Sequence, residues 1–254
     1  MSNRIVFLAC IAAMGIGARA DEEERLRAVP WVYVGDAGDC GPGYPAGSNI
    51  VTSAWLRGMG LPDNGQDNTT VINLLTGSPS RRDPHYGLLL NKNGPTADCS
   101  AAGATIRGVR GLRVPSVDPV FVLGFDFRNG THCGAGSPRF NVVARSGSNP
   151  RTFHFIGGCA NGVLPPATPA PQDPTEWTRV RFANSDATAF PPIPPGSTIE
   201  SIELIVDEGT DATSIPDDPR GVGLSVVDNI YVNGRIITSG TGIAPGGGPG
   251  RDDD

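Results

Sequence analysis

The chain has 254 residues, a formal net charge of −6, 6% aromatic residues, 35 glycines and 24 prolines. An acidic balance disfavours nucleic acid and anionic membrane surfaces as partners. So many turn-forming residues, spread throughout, exclude a helical bundle and suit many short strands.

Met1–Ala20 reads as a signal peptide, with Arg4 at its positive start, Ile5–Gly17 as the apolar region and Ala18-Arg19-Ala20 as the cleavage site. The apolar run is too short to span a bilayer, and no later stretch is long and apolar enough to do so. A secreted protein, periplasmic or extracellular, is therefore expected. Loss of the segment's two arginines takes the mature charge from −6 to −8. Residues 21–28 are charged and expected to fray. Residues 29–238 are read as one β-sandwich domain, and the Gly/Pro-rich, acidic stretch 239–254 as a disordered tail.

The first expected strand is Val29–Val34, with Trp31 and Tyr33 on one side, followed by the loop GDAGDCGPGYPAG. Ile50–Arg57 and Tyr86–Asn91 read as strands, Ala101–Ile106 is ambiguous, and Val109–Val114 reads as a short strand. The clearest strand is Val120–Arg128. Phe121, Leu123, Phe125 and Phe127 fall on one face, which needs a facing sheet to bury it. Arg139–Arg145 and Thr152–Gly157, joined by SGSNP, predict a hairpin that pairs Phe140 with Phe153 and puts Phe140 and Val142 on the same face as Phe153 and Phe155. That register leaves His154 on the outer face. The Pro-rich stretches VLPPATPAPQDPTE and FPPIPPG read as loops.

The closing strands organise the rest. In EWTRVRF, Val180 and Phe182 oppose Arg179 and Arg181. In TIESIELIVDEG, Ile202, Leu204 and Val206 oppose Ser201, Glu203 and Ile205, so Ile205 predicts an outer face that is partly covered. In VVDNIYVNGRII, Asn233-Gly234 supplies the two positive-φ residues of a type I′ hairpin turn. The expected fold is an all-β, jelly-roll-type antiparallel β-sandwich.

The strand Trp177-x-x-Val180-x-Phe182, a strand ending in acidic Asp207, and a final Asp228-Asn229-Ile230-x-Val232 strand resemble the closing strands of carbohydrate-binding-module-like and galactose-binding-like jelly rolls. The resemblance covers about the last quarter of the chain by this strand pattern. It implies a sandwich and a binding function rather than catalysis. CGAGSPRFNV and VDNIYVNG also resemble blocks of bacterial secreted proteins, a likeness that implies no activity. Jelly rolls of this kind often carry a structural calcium near the sandwich edge.

Cys10 leaves with the signal peptide, and Cys40, Cys99, Cys133 and Cys159 remain. An even count in an exported chain predicts two disulfides. The predicted hairpin places Cys133 and Cys159 nearly opposite each other at its open end, which predicts Cys133–Cys159 and leaves Cys40–Cys99. The rival reading is a zinc site drawing on His132, Cys133, His154 and Cys159, but no C-x-x-C or H-x-x-x-H spacing supports it.

Carboxylates and loop carbonyls are the oxygen ligands calcium takes. The candidates are Asp207, Glu208, Asp211 and Asp228, with Asp217 and Asp218 in the same run as Asp211 and further acidic pairs Asp36/Asp39 and Asp63/Asp67. A hydrolytic pair would need two carboxylates flanking one bond, and Asp126 with Glu203 is the candidate pair on polar strand faces. No G-x-S-x-G elbow accompanies His85, His132 or His154.

Asp126, Arg128, Asn141, His154 and Arg179 are expected on polar strand faces and form the candidate ligand groove. Tyr44 and Tyr86, beside loops, are the candidate stacking aromatics. Trp31, Trp55 and Trp177 are read as core residues. The functional expectation is a monomeric, non-catalytic module that binds a glycan. The alternatives are a structural or cell-surface interaction protein and a polysaccharide-acting hydrolase or lyase.

Overall fold

The computed structural model describes residues 25–35, 51–62, 84–97, 99–116, 120–161, 167–185, 188–209 and 223–244. The strands are β1 (Arg27–Tyr33), β2 (Val51–Arg57), β3 (Tyr86–Lys92), β4 (Ala101–Arg107), β5 (Val122–Arg128), β6 (Arg139–Arg145), β7 (Thr152–Gly157), β8 (Thr168–Pro169), β9 (Trp177–Ala183), β10 (Ala189–Phe190), β11 (Thr198–Val206), β12 (Leu224–Val232) and β13 (Arg235–Ile237). They form two antiparallel sheets. One runs β1-β4-β11-β6-β7-β10. The other runs β2-β3-β12-β5-β9-β8, with β13 paired to β12. Among the described residues no helix is long and apolar enough to cross a membrane.

The core lies between the inner faces, as the alternation requires. Leu123 and Phe125 on β5, Phe140 and Val142 on β6, Phe182 on β9, and Ile202, Leu204 and Val206 on β11 are all buried. Phe125 meets both Phe140 and Phe182 at ring-centroid distances of 5.8 Å, which ties the sheets together across their middle. At one corner Trp55 donates its indole N–H to the Ala28 carbonyl (2.9 Å), and Ser53 donates to Gly103 (2.6 Å). Trp55 lies in this core, as expected, whereas Trp177 is buried in a separate apolar cluster and Trp31 is only half-buried.

Asn233 and Gly234 have φ of 43° and 93° and turn β12 into β13, as the Asn-Gly pair predicts. Ala101–Ile106, ambiguous in the sequence, lies within a strand. Val109–Val114 is not a strand. Its residues form turns, and one isolated bridge joins Arg113 to Thr198. β1 begins at Arg27, and the segment through Ala244 runs along β2, with Trp55 N–H on the Gly242 carbonyl and Ala244 N–H on that of Ser53.

The β6–β7 register corrects the sequence expectation. Phe140 pairs with Ile156, and Val142 with His154. The difference from the expected pairing of Phe140 with Phe153 is odd, so every β7 side chain changes face. His154 is interior, 1% exposed, with Nδ1 2.7 Å from the Pro191 carbonyl. Phe153 and Phe155 point outward, at 46% and 45% exposure.

Candidate functional site

The outer faces of the two sheets differ. On the seven-stranded sheet, Leu61, Ala170, Trp177 and Val226 form a second buried apolar cluster. Beside it lies a polar network built on a β-bulge. The β12–β5 register shifts between Asp228 and Tyr231, and Asn229 sits there at φ 47°. The bulge lets Asp228 and Asn229 both serve the outer face. Asp228 accepts from the Leu61 and Asn229 amides (2.7 and 2.6 Å), and Asn229 donates to Asp126 (2.8 Å).

Asp126 is fully buried and takes a two-pronged ion pair from Arg179, at 2.8 and 2.9 Å. Its bond and charge raise the Arg179 pKa against the opposing effect of burial. Arg181 lies over Gly124, with its guanidinium carbon 4.7 Å from the Tyr231 ring centroid. Burial lowers the Arg181 pKa to about 10, against the opposing charge of Asp126. This face is filled rather than open.

The six-stranded sheet carries a cleft of about 360 Å³ on its outer side, where β4 and β6 begin and β11 ends. Ile205, 6% exposed, lies within it, so the outer face is covered where its sequence position suggests. Around it stand Thr96, Gly136, Arg139, Asn141, Asp207 and Glu208.

Glu208 fixes one wall. Its carboxylate lies 2.9 Å from His132 Nε2 and accepts from the Gly136 amide (3.0 Å), the Ser137 amide (3.0 Å) and the Ser137 hydroxyl (3.2 Å). A Cβ at Gly134 or Gly136 would collide with that carboxylate and displace it, so the glycines of CGAGS let Glu208 approach this closely. Burial alone would raise the Glu208 pKa. The His132 bond and charge, with the Ser137 donors, outweigh it and bring the pKa below the usual glutamate value.

Arg139 joins the cleft to the rest of the face. It forms a two-pronged ion pair with Asp207 (2.6 and 2.5 Å), donates to the Gly136 carbonyl (3.0 Å) and to Asn141 Oδ1 (3.1 Å), and lies 5.2 Å from the Phe155 centroid. Asn141 is the register partner of Phe155. Next to Phe155 lie Phe153, edge-on at 4.9 Å, and Phe190, its partner across β10 and 59% exposed. A polar cleft thus opens beside a shelf of three phenyl rings.

The residues of the expected groove are divided. Asp126, Arg128 and Arg179 belong to the seven-stranded sheet, Asn141 lines the cleft on the other, and His154 is inside. Asp126 and Glu203 likewise sit in different sheets. Tyr86 packs against the core, and Tyr44 lies outside the described residues. Sequence reasoning missed Arg139 and the three phenylalanines. The signal for Phe153 and Phe155 was present, but it rested on a register that the hairpin alone does not fix.

Cys133–Cys159 forms as expected. Cys99 is also in a disulfide, while Cys40, its expected partner, lies outside the described residues. Among the described calcium candidates, Asp207 and Glu208 line the same cleft and Asp228 does not. Asp207 is engaged by Arg139, Glu208 by His132 and the 136–137 amides, and Asp228 lies in the other sheet. Asp211, Asp217, Asp218, Asp36, Asp39, Asp63 and Asp67 lie outside the described residues. Among the described residues no three His, Cys, Asp or Glu side chains are grouped to hold a metal.

Two antiparallel sheets packed face to face make this chain an all-β sandwich. Comparison with protein-family models, with curated proteins and with solved structures gives no match to the chain.

Proposed function

We propose that this protein is an exported, non-catalytic binding module of jelly-roll type that holds a glycan on the outer face of its six-stranded sheet. One observation carries the reading: Phe153, Phe155 and Phe190, 45–59% exposed, form a shelf continuous with a cleft that presents Arg139, Asn141 and Asp207. Apolar ring faces beside hydrogen-bonding side chains suit a sugar, which offers an apolar face and a rim of hydroxyls. The hydrolytic alternative has less support. A general acid needs a raised pKa, whereas Glu208 is shifted down.

Affinity electrophoresis through gels containing soluble polysaccharides tests the reading. The wild-type chain should be retarded by at least one of them, and the Phe153→Ala/Phe190→Ala variant should run freely while keeping its thermal transition. Equal retardation of both proteins would place the ligand elsewhere.

The same exposed rings favour a second reading, association of the protein with a surface or with itself. Exposed contiguous apolar patches often mark interaction sites. Sedimentation across a wide concentration range separates the two: a monomer throughout supports the glycan site, and a ring-dependent dimer supports association.

A further inference from the structure

The charges around the cleft are already matched within the protein. Asp207 is paired with Arg139, and Glu208 is met by His132 and three donors from Gly136 and Ser137. Lys92, fully buried, spends its ammonium on the carbonyls of Thr96 and Asp207. What remains for a ligand is hydrogen bonding rather than an unmet charge. Asn141 uses its oxygen to accept from Arg139, and its Nδ2 has no partner among the described residues. The Asp207 carboxylate, 35% exposed, keeps acceptor capacity beyond its two bonds from Arg139. Donor and acceptor stand over apolar Ile205.

We infer that this cleft selects an uncharged, hydroxyl-bearing sugar unit and discriminates against uronic acids and sulfated sugars. The inference rests on the glycan reading above and adds the class of glycan. Three features point the same way. An anionic sugar would find Arg139 already neutralised and would lie beside two carboxylates, and the mature chain's net charge of −8 adds repulsion. A hydroxyl can donate to Asp207 and accept from Asn141 Nδ2 at once. The volume, about 360 Å³, lies near the lower end of the ~300–1,000 Å³ common for small-ligand sites. It therefore takes a short piece of the chain, and the neighbouring units pass over Phe155 toward Phe153 and Phe190.

The test is isothermal titration of the mature protein with matched sets of neutral oligosaccharides (gluco-, xylo-, manno- and galacto-configured) and uronic-acid oligosaccharides, at 50 and 500 mM NaCl. Neutral oligosaccharides should bind, with a Kd that changes less than about twofold with salt, since no counterions are released. Asn141→Asp, which converts the amide donor to a third carboxylate, should weaken that binding at least tenfold without changing the thermal transition. Uronic-acid oligosaccharides that bind more tightly than the neutral set, or a Kd that weakens tenfold or more at high salt, would overturn the inference and leave the glycan site standing. Absence of binding by every member of both sets would overturn the inference and the glycan reading together.

Discussion

Asp126 on β5 and Arg179 on β9 face each other in register and form a two-pronged ion pair, with the carboxylate fully buried and the guanidinium partly in water. The same carboxylate receives Asn229 from the β12 bulge. Three neighbouring strands are thereby locked through one side chain. Asp126→Ala would leave Arg179 and the nearby Arg181 without their counter-charge in a buried setting. Breaking one partner of such a pair costs about 3–5 kcal/mol. Urea denaturation of Asp126→Ala should show a loss in that range, and a change below about 1 kcal/mol would mean that the network is solvated rather than buried.

Phe125 is the centre of the interior, fully buried against Phe140 and Phe182. Phe125→Ala removes a ring from both interfaces and should cost about 3–5 kcal/mol by equilibrium denaturation. Unchanged stability would contradict the packing of β5 against β6.

Glu208 has a pKa below its ordinary value, because His132 and Ser137 favour its ionised form more than burial disfavours it. A carboxylate whose pKa is depressed on folding stabilises the native state fully above the unfolded pKa, ~4.3 for glutamate. That contribution is lost as pH falls through the lower folded value. Glu208→Gln should therefore be less stable than wild type at pH 7, and the difference should shrink on acidification below about pH 4.3. A gap independent of pH would show that the carboxylate's charge plays no part in holding the 134–137 loop.

Cys133 and Cys159 close a loop with a sequence separation of 26. The chain-entropy relation gives about 3–4 kcal/mol for a loop of this length. The double Cys133→Ser/Cys159→Ser variant should lose stability of that order, and non-reducing peptide mapping of the wild type should recover the 133–159 pair. Recovery of Cys133 joined to Cys40 would refute the assignment.

The fold was legible where alternation met only one plausible solution. The Phe121–Phe127 face, the Ile202–Val206 face and the Asn233-Gly234 turn each dictated a local geometry that packing then obeyed. The β6–β7 hairpin was not so constrained. Its second strand offers Phe153 and Phe155 on one face and His154 and Ile156 on the other, so hydrophobicity favours the wrong face. Tertiary structure decides it: the interior holds His154 by giving it the Pro191 carbonyl, a partner invisible in local sequence. The site was legible in part for the same reason. Asn141 was placed on an outer face correctly, whereas Arg139 acquires its role only when β11 brings Asp207 beside it. Asp126 and Arg179 were correctly read as outward, but segments outside the paired strands cover part of that face, with Leu61 and Ala170 beside Trp177.

The most direct measurement is a glycan titration followed by ¹⁵N–¹H NMR, reading the Asn141 side-chain amide and backbone amides 153–155 against the Nε–H signals of Arg179 and Arg181. Binding on the six-stranded sheet predicts saturable shifts at Asn141 and 153–155, with the two arginines unmoved. Shifts confined to Arg179 and Arg181 would put the ligand on the opposite sheet and contradict the account.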